Sequence, residues 1–185
     1  RAFVTCTIVG EKITDLMEDV LRLRPRTKRV ALVAGTSAND IHVEQGYREG
    51  LARYADKIRL IDLTKLSMEE TLSRVGSLSK DTVVFYSSIL QDAEGKTFLP
   101  CEALSRIAAA SSAPVFGAME TYLGRGIVGG HLLSFTDHGK EAAAMALKIM
   151  AGEPPGSIPF GGEKAYITAY DWRELKRWDI PEKAL

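Results

Sequence analysis

Cysteine is scarce: Cys6 and Cys101 are the only two. They are too few and too far apart in sequence for a zinc knuckle or a disulfide framework. Two buried thiols are expected, with one disulfide left open if the compartment is oxidising. Long apolar runs are missing as well. No stretch approaches the ~18 residues of a membrane span, and no signal-peptide pattern is present. The chain opens on Arg1 rather than Met, so this says nothing about its address. Charge of one sign is also lacking, since Lys+Arg and Asp+Glu both number 24. A nucleic-acid partner is therefore not expected, because displacing counterions from phosphates needs a net basic field.

What is there suits a folded α/β domain. The 185 residues are 45% hydrophobic and 26% charged, ordinary values that argue against disorder. Arg1–Ile8 reads as a strand, and Ile13, Leu16, Met17, Val20 and Leu21 recur at helical spacing until Pro25. Arg29–Ala34 reads as a buried parallel strand ending at Gly35. A helix over about 40–55 follows, with Asn39 or Asp40 as its cap. Then come a strand over Ile58–Ile61, a helix over Ser67–Val75 with Ser67 and Glu70 as a capping box, and a strand over Thr82–Tyr86. A helix over Pro100–Ala110 and a short strand over Pro114–Phe116 complete the alternation. Such repetition predicts a Rossmann-like, three-layer αβα sandwich on a parallel sheet.

The pattern changes over residues 117–130, which hold five glycines. An apolar run over His131–Phe135, a helix over about Asp137–Ala151, a strand over Tyr166–Tyr170 and a short helix capped by Asp171 follow. Gly124 to Gly129 spells G-x-G-x-x-G, but a dinucleotide fingerprint needs a helix opening on its third glycine, and a strand-like run stands there instead.

Ligands of open parallel sheets bind beyond the carboxyl ends of the strands, where helix N-termini and loop amides converge. Three loops reach that edge: Gly35–Asp40, Ser87–Phe98 and Gly117–Tyr122. Thr36, Ser37, Asp40, Ser87, Ser88, Glu120, Thr121 and Tyr122 are the candidate ligand contacts. They offer hydroxyls, acids and a ring to a small polar molecule. Helix capping by Thr36, Ser37 and Asp40, strand termination by Ser87 and Ser88, and a solvated Glu120 are the structural alternatives. His42, His131 and His138 have no metal-ligand spacing, and no activated nucleophile stands out. No catalytic residue, metal or cofactor is assigned.

The runs Thr82–Tyr86, Asp92–Phe98, Ala113–Gly130, Gly152–Pro155 and Asp171–Trp178 resemble the extracytoplasmic sensor region of bacterial sensor histidine kinases. That region is similar to the substrate-binding component of a family of ABC transporters, with a type 1 periplasmic-binding-protein fold. The resemblance implies two hinged lobes with a ligand between them. Residues 1–8 would be a crossing strand, 9–118 the second lobe, 119–158 a return into a first lobe lying mostly upstream, and 159–185 a final crossing strand with a terminal helix.

It further implies an extracytoplasmic domain anchored through segments outside this chain, binding an unidentified small polar ligand, with no enzymatic activity in these residues and with homodimerisation open. A soluble ABC-transporter component, a cytoplasmic Rossmann-like nucleotide-binding enzyme and a dimerisation module without ligand are the alternatives.

Overall fold

The computed structural model describes residues 4–185. Among the described residues, twelve α-helices and β-strands follow the predicted alternation: α1 (Ile13–Leu23), β1 (Arg29–Ala34), α2 (Ala38–Ala52), β2 (Arg59–Thr64), α3 (Met68–Val75), β3 (Thr82–Tyr86), α4 (Pro100–Ala110), β4 (Val115–Phe116), β5 (Gly129–Leu133), α5 (Phe135–Met150), β6 (Tyr166–Tyr170) and α6 (Trp172–Arg177). Strands β1 to β4 form one parallel sheet in the order β2-β1-β3-β4.

β1 and β3 have no polar face because both of their faces are covered. Val30, Leu32, Val83 and Phe85 pack with Leu16, Met17 and Val20 of α1 and Tyr47 and Leu51 of α2. The alternate residues Ala31, Val33, Val84 and Tyr86 pack with Met68 and Val75 of α3 and Leu104 and Ile107 of α4. This is the expected αβα sandwich. Each fully buried Leu, Val or Phe contributes about 1.5–3 kcal/mol relative to exposure, so these two apolar layers fix the sheet on which the loops stand.

Three elements of the first half depart from the sequence expectation. β2 runs to Thr64 instead of stopping at Ile61, in unbroken register with β1 from Arg29↔Arg59 to Ala34↔Thr64. Asp62 is accommodated because β2 is an edge strand, and its carboxylate accepts hydrogen bonds from Arg48 and from the Thr64 amide. The cap of α2 is Ser37 rather than Asn39 or Asp40. Ser37 Oγ accepts from the Asp40 amide at 3.1 Å, and the Asp40 carboxylate accepts from the Ser37 amide at 3.2 Å. Asp40 is thus the third helical residue of a capping box. Of the strand expected over 1–8, residues 1–3 lie outside the described residues. The remainder makes a single parallel bridge, Thr7 to Gly161, closed by Ile8 N–H to Gly161 O at 2.8 Å and Gly161 N–H to Cys6 O at 3.0 Å.

The second half is a smaller unit. β5 and β6 pair antiparallel, Gly129 with Tyr170 through Leu133 with Tyr166. The strand expected at His131–Phe135 begins two residues earlier, inside the glycine run. Gly129 has φ +111° and lies so close to the Ala169 backbone that a side chain would collide with it. α5 begins at Phe135 rather than Asp137, capped by Ser134 Oγ, which accepts the Asp137 amide at 3.2 Å. None of its residues is buried, and Phe135, Leu147 and Met150 are exposed.

Candidate functional site

The carboxyl edge of the four-stranded sheet gathers all eight predicted residues, but it gives them two different tasks. Asp40, Ser87, Ser88 and Tyr122 are buried, whereas Thr36, Ser37 and Glu120 are half-buried and Thr121 is exposed. The buried set frames the edge and the other set lines it.

Asp40 is the centre of the frame. Its carboxylate accepts from the Leu90 amide at 3.0 Å, the Gln91 amide at 3.3 Å and the Ser37 amide at 3.2 Å, and also from Ser88 Oγ. A fully buried carboxylate stays in a protein interior only when such donors replace its water. Its acceptor capacity is spent on the protein, so Asp40 acts by positioning the 87–98 loop on α2.

Gly35 makes room for this: an added side chain there would run into the Asp40 carboxylate and the Gln91 carbonyl. Asp92, also buried, anchors the far side of the loop by accepting the Met68, Glu94 and Lys96 amides at 3.1, 3.0 and 3.0 Å. Thr36 contributes a further tie, donating its hydroxyl to the Asp92 carbonyl at 2.7 Å.

Tyrosines brace the other two loops. Tyr122 donates to the Ser87 carbonyl at 3.0 Å and packs edge-on against Tyr86, 5.3 Å between ring centres. Tyr86 donates to the Pro100 carbonyl at 2.8 Å. Tyr47, absent from the sequence-level site, donates to the Tyr86 carbonyl at 3.1 Å and accepts from the Ala118 amide at 3.2 Å, spanning β3 and the loop after β4.

Burial pushes the hydroxyls of Tyr47, Tyr86 and Tyr122 well above the ordinary tyrosine range, so all three are neutral donors at any physiological pH. The signal for Tyr47 was a helical face made of Asp40, Glu44, Tyr47 and Leu51, all buried on α2. Its polar members hid it from a search for apolar periodicity.

On this frame the lining offers hydroxyls and carboxylate oxygens. Glu120 accepts the Thr136 amide at 3.1 Å through Oε1, which ties the loop after β4 to the first turn of α5. Glu11 is half-buried, with its carboxylate 3.9 Å from where a side chain on Gly46 of α2 would begin. Ser87 Oγ is buried and has no hydrogen-bond partner among the described residues. No histidine side chain is hydrogen-bonded to these residues among the described ones. His42 is exposed on α2, His131 stacks on Tyr166 at 5.3 Å, and His138 Nε2 lies 2.5 Å from Thr7 Oγ1. Cys6 and Cys101 are free thiols, exposed and half-buried, rather than the buried pair expected.

A parallel sheet in an αβα sandwich, with a braced polar rim at its strand ends and followed by an antiparallel strand pair, defines a type 1 periplasmic-binding-protein-like domain. The particular family follows from the chain itself: the model for ABC transporter substrate binding proteins matches residues 4–169, and the protein belongs to that family.

Among solved structures, a conserved domain protein from Vibrio cholerae is 19% identical, with 98% of this chain and 60% of that one covered at a TM-score of 0.67. The open, ligand-free form of a substrate-binding protein with adhesive properties from Clostridium difficile is 17% identical, covering 96% and 58% at a TM-score of 0.71. An ABC domain from Streptococcus pneumonia in complex with L-Trp is 11% identical, covering 98% and 62% at 0.67. The chain thus spans about 60% of the length of these structures. No curated protein matches it.

Proposed function

We propose that the chain forms one lobe and the hinge of an extracytoplasmic receptor that closes on a small polar molecule, in the setting of a membrane-bound sensor histidine kinase. The observation that carries the binding reading is the rim of Thr36, Ser37, Glu120 and Thr121 held on the Asp40 and tyrosine frame. A site whose carboxylate and tyrosine supports are buried and hydrogen-bonded is preorganised, so little binding energy goes into ordering it. Residues 9–118 act as the complete lobe, 119–158 return into the other lobe, and 159–185 cross back.

The groove of about 500 Å³ between α5 and the 158–161 segment, flanked by exposed Phe160, is where the rest of the other lobe packs. Hydroxyls and carboxylates suit a ligand rich in donors, an amine or a polyol. Among neighbours of the same fold, one holds L-Trp and another D-arabinose. Closure is a population shift, and the ligand drives it by its differential affinity for the closed form. The chain itself carries no catalytic step.

A second reading, delivery of the ligand to an ABC transporter, is favoured by the family match over residues 4–169. Titration calorimetry of amino acids and sugars against the two-lobed protein tests the binding reading. The double variant Ser37→Ala, Glu120→Ala is expected to lose at least about tenfold in affinity, the loss of one to two hydrogen bonds involving a charged group. Unchanged affinity removes the rim from the site. Ligand-dependent autophosphorylation of the full-length protein separates the sensor from the carrier.

A further inference from the structure

The zero net charge conceals a polarised surface. Five of the eight residues from Arg22 to Arg29 are basic and none is acidic. They run from the last turn of α1 into the start of β1, so they occupy the end of the sheet opposite the Thr36 to Glu120 rim. Lys80, just before β3, joins them, because Arg24 donates to the Lys80 carbonyl at 3.1 Å and to the Trp178 carbonyl at 3.2 Å.

Neutralisation at this pole is incomplete. Arg22 is paired with Asp19 and Arg29 with Asp81. Arg24 spends its hydrogen bonds on backbone carbonyls, and Arg26 and Lys80 are exposed with no ion pair among the described residues. Leu23, Arg24, Pro25, Arg26, Lys80 and Asp179 line a groove of about 520 Å³, three cations against one acid. Compensation of the negative end of α1 accounts for Arg22 and Arg24, but Arg26, Lys28 and Lys80 lie beyond the helix. Arg22 also donates to the Ala184 carbonyl, which seats the exposed Leu185 on the same pole.

We propose that this pole docks on the anionic surface of a lipid bilayer. Its cations are spread along one segment and a second loop instead of converging on a single buried point, which suits a field of headgroups better than one phosphate. Leu185 adds an apolar group at the same place. Basic residues gathered near a membrane surface attract anionic lipids in this way, and salt screens the attraction. The proposal stands apart from the ligand-binding reading, since rim and pole lie at opposite ends of the sheet.

Cosedimentation of the full chain with phosphatidylglycerol-containing vesicles, with neutral phosphatidylcholine vesicles and with added inorganic phosphate tests it. The expected result is binding to the anionic vesicles alone, lost at high salt. The triple variant Arg26→Gln, Lys28→Gln, Lys80→Gln should weaken it on the order of 100-fold with an unchanged circular dichroism spectrum. A matching triple variant on the groove beside α5, Lys140→Gln, Lys148→Gln, Lys164→Gln, should bind like the parent. Equal binding to neutral vesicles would assign adsorption to the exposed apolar side chains of α5 and overturn the proposal. So would no binding at all, competition by millimolar phosphate, or full binding by the pole variant.

Discussion

The carboxylate of Asp40 receives the Leu90 amide at 3.0 Å across 50 residues of chain, joining the start of α2 to the loop after β3. With the Gln91 and Ser37 amides and the Ser88 hydroxyl on the same group, one side chain sets the relative position of two of the three rim loops. Asp40→Ala strands these donors in a buried place. Hydrogen bonds to a charged group are worth about 1.5–3 kcal/mol each, though such losses do not sum. A stability loss of about 3–5 kcal/mol is expected in urea unfolding. A loss under 1 kcal/mol would show that the loop is held by other contacts.

Tyr47→Phe keeps the ring in its edge-on contact with Phe85 and removes only the hydroxyl. The Ala118 amide then loses its partner in the core, and the Tyr86 carbonyl loses one. An unfolding free energy lower by about 1–3 kcal/mol is expected. Amide exchange at Ala118 should accelerate with it, and unchanged protection at that amide would contradict the brace.

The hydrogen bond from Arg173 to Asp171, reinforced by the charge of Arg173, holds the Asp171 carboxyl below its ordinary value of 3.8. A carboxyl depressed in the folded state stabilises the fold fully above the unfolded-chain value. That contribution fades as pH falls through the lower folded value. Acid unfolding below about pH 4 should therefore be less steep in Asp171→Asn than in the parent. Identical acid limbs would mean that the pair carries no coupling. Because Arg173 is 62% exposed at its side chain, the effect is small.

How far the sequence discloses the molecule can be read from particular residues. β1 and β3 were legible because continuous Val, Leu and Phe runs report burial on both faces. The capping box at Ser67 and Glu70 was legible because only its two side chains were needed. At α2, capping by Ser37 was one of several readings beside Asn39 and Asp40, each a good cap by type, and only the backbone shows which residue stands outside the helix.

The rim loops were placed correctly by strand ends. The division of labour within them was not visible, because a letter for a carboxylate does not report how many protein donors that group accepts. Tyr122 was read as a ring for a ligand and is a buried strut on the Ser87 carbonyl. Charge balance hid the basic pole, since a sum over the chain has no position in it.

The four parallel strands all lie within residues 29–116, and β5 pairs with a strand that begins at Tyr166. Synthesis delivers residues in order, at roughly 5–20 per second, and domains generally fold as units. All four strands are therefore made before the partner of β5, whereas Leu175 and Ile180, which pack in the same core as Val30 and Phe85, come after it. β5 has no partner until the chain reaches Tyr166, so its pairing waits on the whole of the α5 segment.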